Sequence, residues 1–292
     1  MADSVRILSV PYDSGQRTAR MGLGPLDLLD RGLADAVSAA GHDTAVETVD
    51  HGLPFAMENA VAFALHEKIA AAVGRARLGG DFPLILSGNC NYAAIGAVTG
   101  LGSPGTGVLW FDAHGESETP ETSPSAFLDG MGMAILVGAC WRRRMADVPG
   151  FQPLDPTRAA LIGARDLTED EIAFIPGNGI GQVSVEAIRR DGASALVPVL
   201  EALKSAGVER LYVHVDADVY DPDRVGHANI YWSTSGPGLY TEELSACLDL
   251  IAKSFPIQAA AITAYDPSVD TGGRMRRVLI DLAVKFARLG SI

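Results

Sequence analysis

Short apolar or β-branched runs recur along the chain: VRILSV (5–10), TAVETV (44–49), FPLILSG (82–88), GVLWFDA (107–113), AALIGA (159–164), IGQVSV (180–185), RLYVHVD (210–216) and IQAAAIT (257–263). Stretches rich in Ala and Leu with helical spacing lie between most of them, at 57–79, 91–100, 194–206, 241–254 and 272–288. Near-continuous apolar strands are those of a sheet buried on both faces, and their alternation with helices predicts βαβ units. The expected fold class is therefore α/β, with helices on both sides of a mostly parallel central sheet of about eight strands. No Gly/Ser or Pro linker, internal repeat or low-complexity tract divides the chain, so residues 1–292 are expected to form a single domain.

Composition narrows the function classes. Of 292 residues 48% are apolar, mean hydropathy is +0.17, and 36 acids against 23 bases give a net charge of −13. The longest basic run is WRRR (141–144), which reads as a solvated helix end or loop, and a nucleic-acid partner needs clustered positive charge that is absent here. No apolar stretch is long enough to span a bilayer, and MADSVRILSV enters a strand directly with no leader pattern. Cys90, Cys140 and Cys247 stand far apart without C-x-x-C spacing, which points to a reducing compartment; Cys140 and Cys247 read as packed thiols. The expectation is a cytoplasmic protein with a small-molecule substrate and no membrane or nucleic-acid partner. MGLGPLDLL (21–29) lacks both G-x-G-x-x-G and a phosphate-loop Lys, so it reads as a turn into a helix.

The chemistry gathers where apolar runs end. SGNC (87–90), DAHGE (112–116) and DAD (216–218) each follow a predicted strand, and ligands of α/β sheets collect at carboxyl strand ends. Asp112, His114 and Glu116 alternate, as do Asp216 and Asp218, so each set shares a side of an extended segment. Clustered carboxylates in a low dielectric repel one another and take up protons unless a cation neutralises them. Mixed carboxylate and imidazole donors suit a divalent ion: manganese first, with zinc, iron(II) or cobalt as alternatives. His214, two residues before Asp216 and deeper in its strand, reads as a packed or supporting histidine. His42, His51 and His66 read as surface residues.

DAHGE, HVDADVYDP (214–222), PYDSGQRTARMGLGP (11–25) and TAYDP (263–267) together resemble the signature regions of the arginase/agmatinase ureohydrolase superfamily, in order and over nearly the whole chain. The resemblance implies a three-layer α/β/α fold, a two-manganese centre, hydrolysis of a guanidino or amidine carbon by metal-bound hydroxide, and assembly as a trimer or hexamer. It makes Asp112 and Asp216 the carboxylates shared by both ions, and His114 and Asp218 the further ligands of one of them. At the other ion, the family's histidine and last aspartate are replaced here by Cys90 and Glu116, a side chain longer by one carbon–carbon bond, roughly 1.5 Å. One firmly held ion is expected, with the second position weak, missing or refitted around another ion, where His214 could replace the lost imidazole if it is not simply packed.

Further departures follow the same alignment. The family's guanidinium-clasping glutamate corresponds to Ala264, its proton-shuttling histidine to Asp129, and its head-group readers to Glu118, Ser125 and Thr168, of which only the serine is kept. The NC replacement and HGESETPETSPSAFLDGM (114–131) resemble the branch that contains hydroxyarginine amidinohydrolases of antibiotic pathways. The reading is a metal-dependent C–N hydrolase of a guanidino, amidine or ureido-like compound other than plain arginine. Asp129 or His227 would move the proton, and Asp221 with Pro222 would shape the turn that fixes Asp218. The rival reading is a non-catalytic relative whose altered site serves binding or assembly.

Overall fold

The structure, a computed structural model, describes residues 3–54, 57–231 and 236–290. All eight predicted runs are strands of one sheet: β1 (Ser4–Val10), β2 (Asp43–Thr48), β3 (Asp81–Ser87), β4 (Thr106–Phe111), β5 (Ala159–Ile162), β6 (Gly181–Val183), β7 (Arg210–Asp216) and β8 (Ile257–Thr263). Their spatial order is β2-β1-β3-β8-β7-β4-β5-β6, and every pairing is parallel. Helices of nine or more described residues are α1 (Glu58–Leu78), α2 (Cys90–Leu101), α3 (Glu169–Gly177), α4 (Val197–Ser205), α5 (Thr241–Ser254) and α6 (Arg274–Leu289). The predicted helix at 194–206 starts later, because Gly192–Leu196 is a 3₁₀ segment and Pro198, which has no N–H to donate, opens the α-helix.

Successive strand residues feed two cores on opposite faces. Leu109, Phe111, Leu211, Val213 and Val215 pack with α4, α5 and α6, whereas Val108, Trp110 and Tyr212 pack with α1 and α2. This period of two, with both faces apolar, is why the strands read as continuous hydrophobic runs. Helix α6 buries one stripe, Met275, Leu279, Leu282, Ala283, Phe286 and Ala287, and leaves its other face wet. Helix α2 is buried almost throughout and meets α1 through glycines one turn apart.

At Gly96 of α2 an added Cβ would lie 2.5 Å from Ile69 Cβ on α1. Alanine gains about 1 kcal/mol of helix propensity there, but overpacking a tight contact costs about 1–3 kcal/mol. Gly96→Val enlarges the clash and gains less propensity. Both variants should be destabilised, valine more, in urea melts; an alanine variant as stable as wild type would mean that the helices separate freely.

The four central strands, β3, β8, β7 and β4, lead at their carboxyl ends into SGNC, TAYDP, DAD and DAHGE. Register places Thr263 beside both Ser87 and Asp216, and Phe111 beside Val215, so these ends finish level. Parallel pairing thus turns residues far apart in sequence into one crevice.

Candidate metal centre and its cavity

Strand β4 ends at Phe111, and Asp112 turns its carboxylate into a fixed cradle. Its Oδ1 accepts from the His114 backbone N–H (2.8 Å) and its Oδ2 from Trp110 Nε1 (2.8 Å). Asp216 closes β7, and Asp218 follows in a one-turn 3₁₀ segment instead of continuing the strand. That turn keeps both carboxylates at the site, because Asp218 N–H donates to Asp216 Oδ1 (2.7 Å) and Ala113 N–H donates to Asp218 Oδ1 (3.2 Å). His114 Nδ1 stands 3.4 Å from Asp112 Oδ1 and 3.3 Å from Asp218 Oδ2.

Donor atoms of Asp112, His114 and Glu116 lie within 4.8 Å of one another, as do those of Asp112, Asp216 and Asp218. Glu116 reaches this cluster by leaving the strand with a left-handed backbone, φ 52°, while its carbonyl accepts from Met133 N–H (2.6 Å). A left-handed residue that is neither Gly nor Asn is strained, and here the strain aims a carboxylate at the centre. Glu116 Oε2 is buried with no hydrogen-bond partner.

Burial and mutual repulsion shift the charges of the cluster in the direction that a bound cation would relieve. Burial, then the neighbouring Asp218, raises Asp112 to about 6. Burial and the charges of Asp218 and Asp112 push Asp216 well above the carboxylate range, and burial with Asp112 and Asp129 does the same to Glu116. Burial also works against the charged form of His114, but Asp218 and Asp112 outweigh it and lift the imidazole well above its usual range. For Asp218 burial is outweighed by His114, and its carboxyl is lowered. The unpartnered Glu116 oxygen and an excess of acids over one imidazole fit a divalent ion held by Asp112, His114, Asp216 and Asp218, with Glu116 beside them.

Cys90 is the first residue of α2. Its thiol donates to Asp216 Oδ2 (2.9 Å) and lies 3.0 Å from Thr263 Oγ1. Asp129 holds this corner: its Oδ2 accepts from Cys90 N–H (3.0 Å), and its Oδ1 accepts from Asn91 N–H (2.7 Å) and Asn91 Nδ2 (2.8 Å). Burial raises Asp129 to about 7, against the lowering pull of those backbone N–H groups. Asp221 accepts from Asp223 and Arg224 N–H (3.1 and 3.2 Å) and from Gly238 N–H (3.2 Å), which fixes the turn after Asp218.

Above the cluster opens a cavity of about 370 Å³ whose wall includes His114, Glu116, Glu118, Ser125, Asp129, Thr168, Asp216, Asp218 and Ala264. His227 is exposed and is not among the wall residues, so the structure does not bring it to the centre. Ala264 holds a left-handed backbone, φ 59°.

Sequence reasoning passed over several parts of the site. Glu171 lines the cavity and accepts from Ser117 N–H (3.0 Å) and Thr168 N–H (3.1 Å), locking the loop that carries Glu116 to the start of α3. The T-x-x-E spacing of Thr168 and Glu171 is a helix-start signal that could have found it. Asp166, Asn229 and Tyr231 also line the wall, and their loop positions carried no signal.

Two surface readings are overturned. His42 is only 7% exposed, and His66 is fully buried on α1, with Nε2 2.9 Å from Asn91 Oδ1. Flanked by Ala62, Leu65 and Ile69, His66 falls on the inward stripe of that helix. Burial lowers its pKa to about 4. A histidine depressed in the folded state contributes stability above its unfolded value of 6.5, and that contribution is lost as pH falls towards about 4. The span corresponds to about 3 kcal/mol. His66→Gln keeps a donor for Asn91 and should flatten the acid limb of a stability-versus-pH curve between those values. An unchanged limb would remove His66 as its cause.

Comparison with known proteins agrees with this geometry. The family model described as Arginase family matches residues 3–288. The arginase of Bacillus caldovelox is 27% identical over 291 residues, covering 95% of this chain and 96% of that one. Its solved structure superposes with a TM-score of 0.83 at 26% identity over 99% of both chains. A proclavaminate amidino hydrolase from Streptomyces clavuligerus gives a TM-score of 0.69 at 18% identity, covering 99% of this chain and 92% of that one, a likeness of fold.

Proposed function

Because the chain belongs to the arginase family, we propose that it is a metal-dependent hydrolase cleaving a C–N bond of a guanidino, amidine or ureido-like small molecule other than arginine. The observation that carries this reading is the convergence of Asp112, His114, Asp216 and Asp218, from adjacent strands β4 and β7, with the last three lining an acid-walled cavity. These four residues, with Glu116, would hold a divalent ion, and the oxygen-rich set favours manganese. When bound, such an ion acidifies water and polarises an electrophilic carbon.

The chain supplies the rest. Asp129, buried in the wall and titrating at about 7, is poised near neutral pH to pass a proton to the leaving nitrogen, through Oδ2, which accepts only one of its three hydrogen bonds. Glu171 and Thr168 fix the wall opposite. Glu118 is half-buried and Asp166 exposed on the same wall, and no Lys or Arg stands among the described lining residues. A substrate carboxylate would meet like charge there and no cationic partner in the lining, which disfavours arginine. The Ala264 side chain offers no acceptor to a guanidinium, so neutral or N-substituted groups are favoured.

Urea or amine release by manganese-loaded protein across arginine, agmatine, hydroxyguanidino and ureido compounds tests the proposal. Arginine should lie at least about 100-fold below the best substrate in kcat/KM, equal to about 3 kcal/mol. Arginine turnover equal to the best of the panel would overturn the substrate assignment. No turnover of any member would favour the non-catalytic reading. The three described cysteines are free, and no helix among the described residues is long and apolar enough to cross a membrane. A cytoplasmic homo-oligomer, trimer or hexamer, completes the proposal, and light scattering of the purified chain tests its assembly.

A further inference from the structure

We propose that the centre has a second, softer ion position, formed by Cys90, His214, Asp112 and Asp216 behind the first, and that it takes zinc in preference to manganese. This inference deepens the metal-centre reading above and rests on it. Donor atoms of Cys90, Asp112 and His214 lie within 4.8 Å of one another, and all three residues are buried. Asp216 Oδ2, 2.9 Å from Cys90 Sγ, supplies a fourth donor. One sulfur, one nitrogen and two carboxylates make a four-donor set of the kind zinc accepts in tetrahedral geometry, whereas manganese prefers oxygen.

His214 is hydrogen-bonded through both ring nitrogens, to Tyr212 and Thr263. It is fully buried on β7 between Val213 and Val215, where an imidazole costs more than an aliphatic residue. Its Nδ1 is bonded to Tyr212 Oη (2.7 Å), and the Trp110 ring lies over it at 4.2 Å. Both contacts fix the ring with Nε2 toward Thr263, in the way that partners of metal-binding histidines orient them. Thr263 Oγ1 lies 3.0 Å from both His214 Nε2 and Cys90 Sγ and joins them; ion binding would exchange those two contacts for bonds to the ion. The thiol proton leaves to solvent as the thiolate coordinates, so each bound ion releases one proton from Cys90.

Cobalt(II) added to protein already holding one manganese should give a near-ultraviolet thiolate-to-cobalt band together with proton release. Zinc should abolish the band, and excess manganese should not. Elemental analysis after loading with both ions should find one manganese and one zinc per chain. Cys90→Ser and His214→Gln should lose the band and weaken zinc at least about 100-fold while keeping one manganese, and Tyr212→Phe should weaken zinc about 10-fold. His114→Asn should lose manganese first and keep the band. The wild-type spectrum decides even if a variant fails to fold. A protein that holds one manganese and hydrolyses its substrate but shows no thiolate band overturns the second position and leaves the proposed function standing. A chain that retains no ion overturns both.

Discussion

Asp112→Asn should cut hydrolysis by roughly 10³-fold or more and prevent retention of the ion, because removing a ligand charge forfeits transition-state stabilisation of about 4 kcal/mol. Without metal the same variant should be more stable than wild type at neutral pH. In the folded chain Asp112 titrates at about 6, raised first by burial and then by Asp218. A carboxyl raised above its unfolded value adds stability below that value and loses it as pH rises through the folded one. At pH 7 the ionised group therefore costs up to about 3 kcal/mol, which asparagine relieves. One forfeited hydrogen bond returns about 1 kcal/mol of that gain. Denaturant melts of chelated and manganese-loaded samples should cross over: the variant leads without the ion, wild type with it. A variant weaker in both states would show that Asp112 supports the fold and not the ion.

Trp110→Ala should produce the largest loss of stability, about 3–5 kcal/mol, since it empties a fully buried indole site on β4. At about 2–4 °C per kcal/mol the melting temperature falls by roughly 6–20 °C. Trp110 also holds Asp112 through Nε1 and packs on His214. Trp110→Phe retains most of the volume but removes the donor, so its stability loss should be smaller while ion affinity drops about 10-fold to 100-fold. Calorimetry and an ion titration separate the two functions. Equal ion affinity in wild type and Trp110→Phe would reduce the indole to packing alone.

Strands were legible because a sheet buried on both faces leaves uninterrupted apolar runs, and all eight appear where those runs stand. The acids of the centre were legible because they punctuate two such runs. Alternation alone misjudged how they converge: Glu116 arrives through a left-handed turn and Asp218 through a 3₁₀ turn, and both depend on backbone hydrogen bonds to residues distant in sequence. His66 looked like a surface residue because a lone polar residue on a helix is ordinarily exposed; its partner Asn91 lies on another helix. Thr263 and Tyr212, which bond to His214, sit in strands that read simply as apolar. Local patterns carry burial and periodicity, but they do not carry who meets whom across strands.

The strand order also has a consequence for how the chain comes to be folded. Strands β2-β1-β3 and β7-β4-β5-β6 form two part-sheets that meet only through β8, residues Ile257–Thr263. Until that strand is made, β3 and β7 each offer a long apolar edge with unpaired backbone groups, open to pairing with another chain. Cys90 begins the helix after β3, and Asp112 and Asp216 stand at the ends of β4 and β7, so β8 lies between the strands that carry them. Insertion of β8 therefore joins the two part-sheets and closes both edges through long-range pairing, which is slow to reach by loop closure. β8 is thus the strand that protects the sheet from pairing with a neighbouring chain.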